Sequence, residues 1–207
     1  MYKYAAQYEL VAKDYSQYTR ITKEDDDTQG VPFTREELSL LWQHKEAPFV
    51  DTVLIYCYCG FRINELARMP LKDINLDNRT FTGGLKNRYS RNRTVPIHSA
   101  IYGMVQRRLD GNFKSLIYHD GIKAISEPKY REYFNTALQS CGILAVHTPH
   151  DCRHTFNILL DNAGVDRVTR YKLMGHKGQD INENVYTHKD LRQLREAVEA
   201  IKTGYER

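Results

Sequence analysis

"HTPHDCRH", His147 to His154, places three histidines, a cysteine and an arginine within eight residues. Four side chains of ligand type in so short a run raise zinc first, since His and Cys are that ion's usual protein ligands. Helical geometry argues against zinc. Thr148-Pro149 reads as a helix start, because proline in the first turn gives up an N–H that has no partner there anyway. On that helix His150 and Arg153 lie three apart on one face, and Cys152 and His154 are expected to point elsewhere. An arginine on the His150 face would also repel a cation. The pair suits an anion far better: a guanidinium presents a planar fork of donors to phosphate oxygens, and an imidazole takes or gives a proton near neutral pH.

Working outward from this helix, nearly everything downstream of residue 98 reads as helical. Ser99 is the expected cap of a helix ending near Gly111. Pro128 sits in the first turn of the next, with Gly142 just past its end, and Gly164 stops the helix that Thr148-Pro149 opens. The last helix carries Leu191, Leu194, Val198 and Ile201 at spacings of three, four and three, a narrow apolar stripe that must bury against its own domain or a neighbouring subunit. Upstream, "PFVDTVLIYCYCGF" (48–61) is apolar nearly all round, as a central buried helix would be. Gly60 breaks it, and "RINELARM" (62–69) begins another short helical pattern. Thr34 and Glu37 form a capping box for "TREELSLLWQHK", with Phe33 and Leu38 as its hydrophobic staple. Only residues 74–97 differ: β-branched residues around the turn-forming Asp77-Asn78 predict a short antiparallel sheet. The expected fold is mainly α with a small antiparallel β-sheet. A helical stub over 1–20 and an acidic linker (together 1–30) precede one domain over 31–207 that includes the C-terminal helix.

A chain of 207 residues and 24.2 kDa suffices for one sizeable core. Hydrophobic residues at 41% and charged residues at 27% fit a globular protein, and no apolar run reaches the length of a membrane span. The N-terminus lacks the apolar segment of a signal peptide. Cys57, Cys59, Cys141 and Cys152 show neither CxxC spacing nor the density of a disulfide framework, which favours a reducing compartment and a cytoplasmic location without a membrane partner. A formal charge of +4 is too small to identify a polyanionic partner, so its distribution carries the argument.

Three further stretches complete the chemistry. Arg62, in "CGFRINEL", follows a glycine break at a helix start, where N–H groups also favour anions. "LKNRYSRNR" (85–93) holds Lys86, Arg88, Arg91 and Arg93 without one acid. Four cations on a protruding ribbon fit contacts with a nucleic-acid backbone, and Lys86, at the strand end, is best placed to reach inward. Finally, "GHKGQDINENVYTH" (175–188) sets Tyr186 ten residues beyond His176 and two before His188. A phenol with a pKa of about 10 is ionised in roughly one molecule per thousand at pH 7, so Tyr186 attacks something only if other groups activate it.

Arg62 in "GFRINEL", a hairpin lysine before "RTVPI", then "HDCRH", "LMGH" and "VYTH", in this order and at these separations, resemble the catalytic domain of tyrosine recombinases of the phage integrase family over roughly residues 31–190. The resemblance implies that Arg62 and Arg153 clamp a scissile DNA phosphate and that Lys86 protonates the leaving 5′ oxygen. It implies further that His150 is the acid/base, that His176 hydrogen-bonds a phosphate oxygen, and that Glu65 supports the arginine region. Tyr186 would attack phosphorus to form a 3′-phosphotyrosyl bond, with Arg88, Arg91 and Arg93 as DNA contacts. No cofactor or metal is implied. Fixed guanidinium donors favour the more highly charged transition state, and proton removal by His150 avoids most of the about 4 kcal/mol needed to hold a free phenolate at pH 7.

The implied substrate is a double-stranded DNA attachment site of a phage or mobile element. Self-association into a tetramer on DNA through the C-terminal helix, and DNA-bending or excision accessory proteins, are the other implied partners. Such integrases carry core-binding domains before the catalytic one, so the chain reads as a fragment that binds DNA weakly on its own. A type IB topoisomerase shares the chemistry, and a catalytically inactive DNA-binding domain remains an alternative. A metal-dependent nuclease is weaker, because no paired carboxylates accompany the histidines.

Overall fold

A computed structural model describes residues 8, 30–84, 91–110, 115–119, 123–176 and 190–203. The helical stub expected over 1–20 and most of the linker fall outside these residues. α1 (Arg35–Gln43) starts as the capping box requires: the Thr34 hydroxyl accepts from the Glu37 N–H at 3.2 Å and the Glu37 carboxylate from the Thr34 N–H at 2.8 Å. α2 (Val50–Cys57) is the central helix, with every residue but Asp51 buried. Asp51, its one charge, takes a two-pronged ion pair from Arg108 at 2.6 and 2.7 Å. Gly60, at φ +63°, turns the chain into α3 (Ile63–Ala67).

Strands β1 (Ile74–Asn75), β2 (Thr80–Gly83) and β3 (Arg93–Pro96) follow and form the expected antiparallel sheet in that order, with Ile74 opposite Phe81 and Phe81 opposite Val95. α4 (Ser99–Leu109), α5 (Glu127–Ser140), α6 (Pro149–Asn162), α7 (Arg167–Met174) and α8 (Leu191–Glu199) complete the domain. α6 packs across α2, and α8 lies on β3. One apolar core runs through all of these elements, which agrees with a mainly α fold bearing a small sheet.

Two local expectations change. Ser99 is the first helical residue of α4 and not its cap; His98 caps it, its Nδ1 accepting the Ala100 N–H at 3.0 Å. A two-stranded hairpin, β4 (Tyr118–His119) with β5 (Lys123–Ala124), occupies a stretch expected to be helical. Strands of two residues are too short to leave an alternating pattern.

The C-terminal stripe takes the first of its two expected dockings. Leu194, Val198 and Ile201 are buried against their own domain, while Leu191 stays exposed, and each buried side chain is worth roughly 1.5–3 kcal/mol of apolar burial. Polar contacts hold it there: Glu199 accepts from Ser99 Oγ at 2.6 Å and from Arg79 at 2.8 Å, and His98 Nε2 meets the Ile201 carbonyl at 3.0 Å.

Candidate active site

Arg62 and Arg153, expected to act together, lie on separate elements, and one turn brings their surroundings together. The Gly60 carbonyl accepts from Arg153 on α6 at 2.5 Å and, at a longer 3.4 Å, from Arg93 on β3. Two residues later comes Arg62, the N-cap of α3. Glu65, three further on, accepts the Arg62 N–H at 3.1 Å, faces the Arg62 guanidinium at 3.5 Å and pairs with Arg93 at 3.0 Å. A side chain at position 60 would put its Cβ 2.3 Å from Phe156 on α6, so glycine is required for close approach as well as for φ.

α7 closes the other side. Its last carbonyls serve as acceptors, Leu173 for Arg93 Nε at 3.1 Å and Met174 for Arg153 Nη2 at 2.7 Å. Gly175 then takes the left-handed C-cap position, and His176 follows with its N–H bonded to the Tyr171 carbonyl at 3.0 Å and its ring edge-on to Tyr171. Arg153 is 1% exposed, far less than a surface arginine, yet its donors have carbonyls to meet, which is how a buried guanidinium is tolerated.

His150 sits one turn before Arg153 on α6. Glu127, at the start of α5, is within electrostatic reach of it and takes hydrogen bonds from Arg131 and from Asn64 of α3, both at 2.8 Å. Those hydrogen bonds outweigh partial burial and hold the Glu127 carboxyl below its usual range. His154, expected to point away from His150, instead lies edge-to-face against it with ring centres 4.8 Å apart, as residues four apart on a helix should. The entering chain rests on His154: a Cβ on Gly30 would sit 2.0 Å from its ring. Among the described residues no group of three or more His, Cys, Asp and Glu side chains could hold a metal ion. Cys152 is buried in the α2 core, where burial pushes its thiol far up.

Arg93 is the main correction. The resemblance groups it with Arg88 and Arg91 as a DNA contact, but of Arg91 and Arg93 only Arg91 is exposed. Arg93 turns inward over the Phe61 ring, 4.1 Å from its centre, and is buried with Glu65. A strand alternates faces, so Arg93 shares its side with Val95 and Ile97, both buried, and that alternation was the readable signal. Burial lowers the Arg93 pKa against Glu65's pull; burial likewise works against the Glu65 charge, but Arg93 and the Arg62 N–H hold its carboxyl below the usual range.

Of the expected set, Arg62, Glu65, His150, Arg153 and His176 are therefore placed. Lys86, Arg88 and Tyr186 lie outside the described residues. Tyr56 and Tyr130 do not compete for a nucleophile's role, since burial pushes both phenols well above the usual range.

Known proteins resemble this chain in sequence and in fold. The tyrosine recombinase XerC of Caldanaerobacter subterraneus is 29% identical over 178 residues, covering 80% of this chain and 49% of that protein; the chain thus spans about half the length of the relative it matches. The integrase of mycobacterium phage Brujita superimposes with a TM-score of 0.67 at 20% identity, over 100% of this chain and 69% of the other. The Tn1549 transposon integrase, solved in complex with transposon right end DNA, gives 0.60 at 21% identity, over 95% and 74%. The model of the phage integrase family matches residues 32–193, from the loop before α1 into the first turn of α8, and the chain belongs to that family.

Proposed function

We propose that this chain is the catalytic domain of a site-specific DNA recombinase that cuts and rejoins strands through a phosphotyrosyl bond, for integration and excision of a phage or mobile element. The observation that carries the reading is the arrangement around Gly60, where Arg153 and the Arg62 N-cap are anchored beside Glu65. Two guanidiniums held there are suited to a phosphodiester whose non-bridging oxygens gain charge during in-line attack. Tyr186 Oη attacks phosphorus and His150 removes its proton. The bond from phosphorus to the 5′ oxygen breaks, Lys86 supplies a proton to that oxygen, and His176 donates a hydrogen bond to the phosphate. The 3′-phosphotyrosyl bond conserves the energy of the phosphodiester, so a 5′ hydroxyl of another strand restores DNA by the reverse attack.

Residues 1–30 belong, in this reading, to the connection with a DNA-clamping domain, and the catalytic domain over 31–207 binds DNA weakly alone. The substrate is duplex DNA carrying an attachment site, as DNA is present in the transposon integrase complex. A tetramer on DNA is built through α8, where Leu191 is exposed beyond the covered Leu194, Val198 and Ile201.

The test is incubation with nicked duplexes drawn from the junctions of the element, followed by denaturing electrophoresis. An adduct on the 3′ phosphate, lost in Tyr186→Phe while DNA binding persists, is the expected result. Undiminished adduct in that variant would assign the attack to another residue; no adduct even with the N-terminal domains attached would leave DNA binding alone as the function.

A further inference from the structure

Beyond Arg62 and Arg153, a third arginine, Arg93, converges on the Gly60 turn, where its Nε and Nη2 donate to the protein itself. Arg93 is buried, its Nε on the Leu173 carbonyl at 3.1 Å and its Nη2 on Glu65 at 3.0 Å. Arg153 runs parallel to it, from the Gly60 carbonyl to the Met174 carbonyl. The two side chains thus stitch the same two segments together, the turn that presents Arg62 and the end of α7 that presents His176.

We propose that Arg93 is a positioning residue of this site: its planar fork sets the separation between the Gly60 turn and the end of α7, and orients Glu65, so that Arg62, Arg153 and His176 face one phosphate. The proposal rests on the recombinase reading and deepens it. Chemistry explains the choice of arginine. Only a guanidinium spans a carboxylate and a carbonyl on different elements with donors fixed in one plane; a lysine ammonium is a point charge on a flexible stem. Phe61 beneath it offers the negative face of its ring, which partly replaces the water that burial removes. Glu65 neutralises one charge among three guanidiniums, and a phosphate would neutralise more.

Arg93→Lys keeps the charge and tests the fork. The first readout needs no turnover: NMR signals of the Arg62 and Arg153 Nε–H groups in the full chain, titrated with inorganic phosphate. In the variant these signals should shift and broaden and phosphate should bind about 10-fold more weakly, while the melting temperature stays within a few degrees. The second readout is the single-turnover rate of adduct formation on saturating nicked duplex, expected to fall about 100-fold, the scale of a 1 Å misplacement, with little change in DNA affinity. Replacing one non-bridging oxygen of the scissile phosphate by methyl removes the charge that the arginines meet. The variant's deficit should shrink on that substrate if Arg93 acts by positioning them, whereas a general loss of folded protein gives equal deficits on both.

Unshifted Arg62 and Arg153 signals with unaltered phosphate binding would overturn the proposal. So would equal deficits on the charged and neutral substrates. If no adduct forms even with the N-terminal domains attached, the recombinase reading fails by itself, and the phosphate titration still decides whether Arg93 positions the other two. Arg93→Met, which removes the charge and keeps the bulk, should lose both readouts more completely; a Met variant that outperforms Lys would also refute a role for the fork.

Discussion

Replacing Glu65 by Gln leaves the shape of the site intact and removes the negative charge that faces Arg62 and Arg93. Glu65 and Arg93 side chains are each 3% exposed, so solvent screening offers little relief. Breaking a buried pair by removing one partner costs about 3–5 kcal/mol, because the remaining charge stays buried without its counter-ion. With a urea m-value of about 2 kcal/mol/M for a domain of this kind, a loss of about 3 kcal/mol lowers the unfolding midpoint by about 1.5 M. The pH dependence sharpens the test. Glu65 has a folded pKa below that of an unfolded glutamate, about 4.3, so its contribution is fully present above that value and is lost as pH falls through the folded pKa. Glu37 and Glu127, also lowered, titrate in both proteins and cancel in the difference. Urea titrations at pH 7 and near pH 4 should show the gap between the two proteins large at the first and narrowing at the second. A gap under about 1 kcal/mol at pH 7, or one that keeps its size in acid, would show that the carboxylate charge is not what holds the arginines.

Two other perturbations probe the same frame. Gly60→Ala combines a left-handed backbone, costing about 1–2 kcal/mol for a non-glycine residue, with a Cβ 2.3 Å from the Phe156 ring, where overpacking adds roughly 1–3 kcal/mol. Calorimetry should find a clearly lowered melting temperature, and an unchanged one would mean that the turn relaxes freely. At the other end, His98 receives the Ala100 N–H on Nδ1, so its Nε2 carries the proton donated to the Ile201 carbonyl. Burial lowers the pKa of this neutral ring against the Ile201 carbonyl and Glu199, which raise it, with Arg79 adding to the fall. Its contribution is therefore complete above about pH 6.5 and declines as pH drops through the folded value. Hydrogen exchange of the α8 amides should accelerate between pH 7.5 and 5.5 beyond the intrinsic trend, and this excess should vanish in His98→Asn; equal excess in both proteins would exonerate the ring.

Much of this site is legible because side-chain chemistry follows local rules. Thr34 with Glu37, and Pro149 after Thr148, announce their helices, and the spacing of His150 and Arg153 survives into the structure unchanged. Legibility ends where a residue's meaning depends on a distant partner. Arg91 and Arg93 look alike in a basic ribbon, yet one faces solvent and the other faces Glu65, 28 positions earlier in the chain. Alternation with Val95 and Ile97 favours the inward face for Arg93, but a basic run invites the opposite reading unless a carboxylate is known to wait inside. His154 shares the His150 face for a simpler reason, since a spacing of four is as much a shared face as a spacing of three.

What a motif cannot contain is the other half of each contact. The groups that fix Arg153 and Arg93 are main-chain carbonyls of Gly60, Leu173 and Met174, and every residue type carries one. Their orientation is set by where a helix stops, and in both segments a glycine in the left-handed region makes the stop, Gly60 at φ +63° and Gly175 at φ +67°. These two glycines are the trace that such acceptors leave in a sequence. A glycine break two residues before one arginine, and another one residue before a histidine, mark the places where the backbone turns its carbonyls back toward a buried guanidinium. The charges of the site are thus recruited from α3, β3 and α6, but their geometry is held by the ends of α2 and α7, elements that contribute no charged side chain to it.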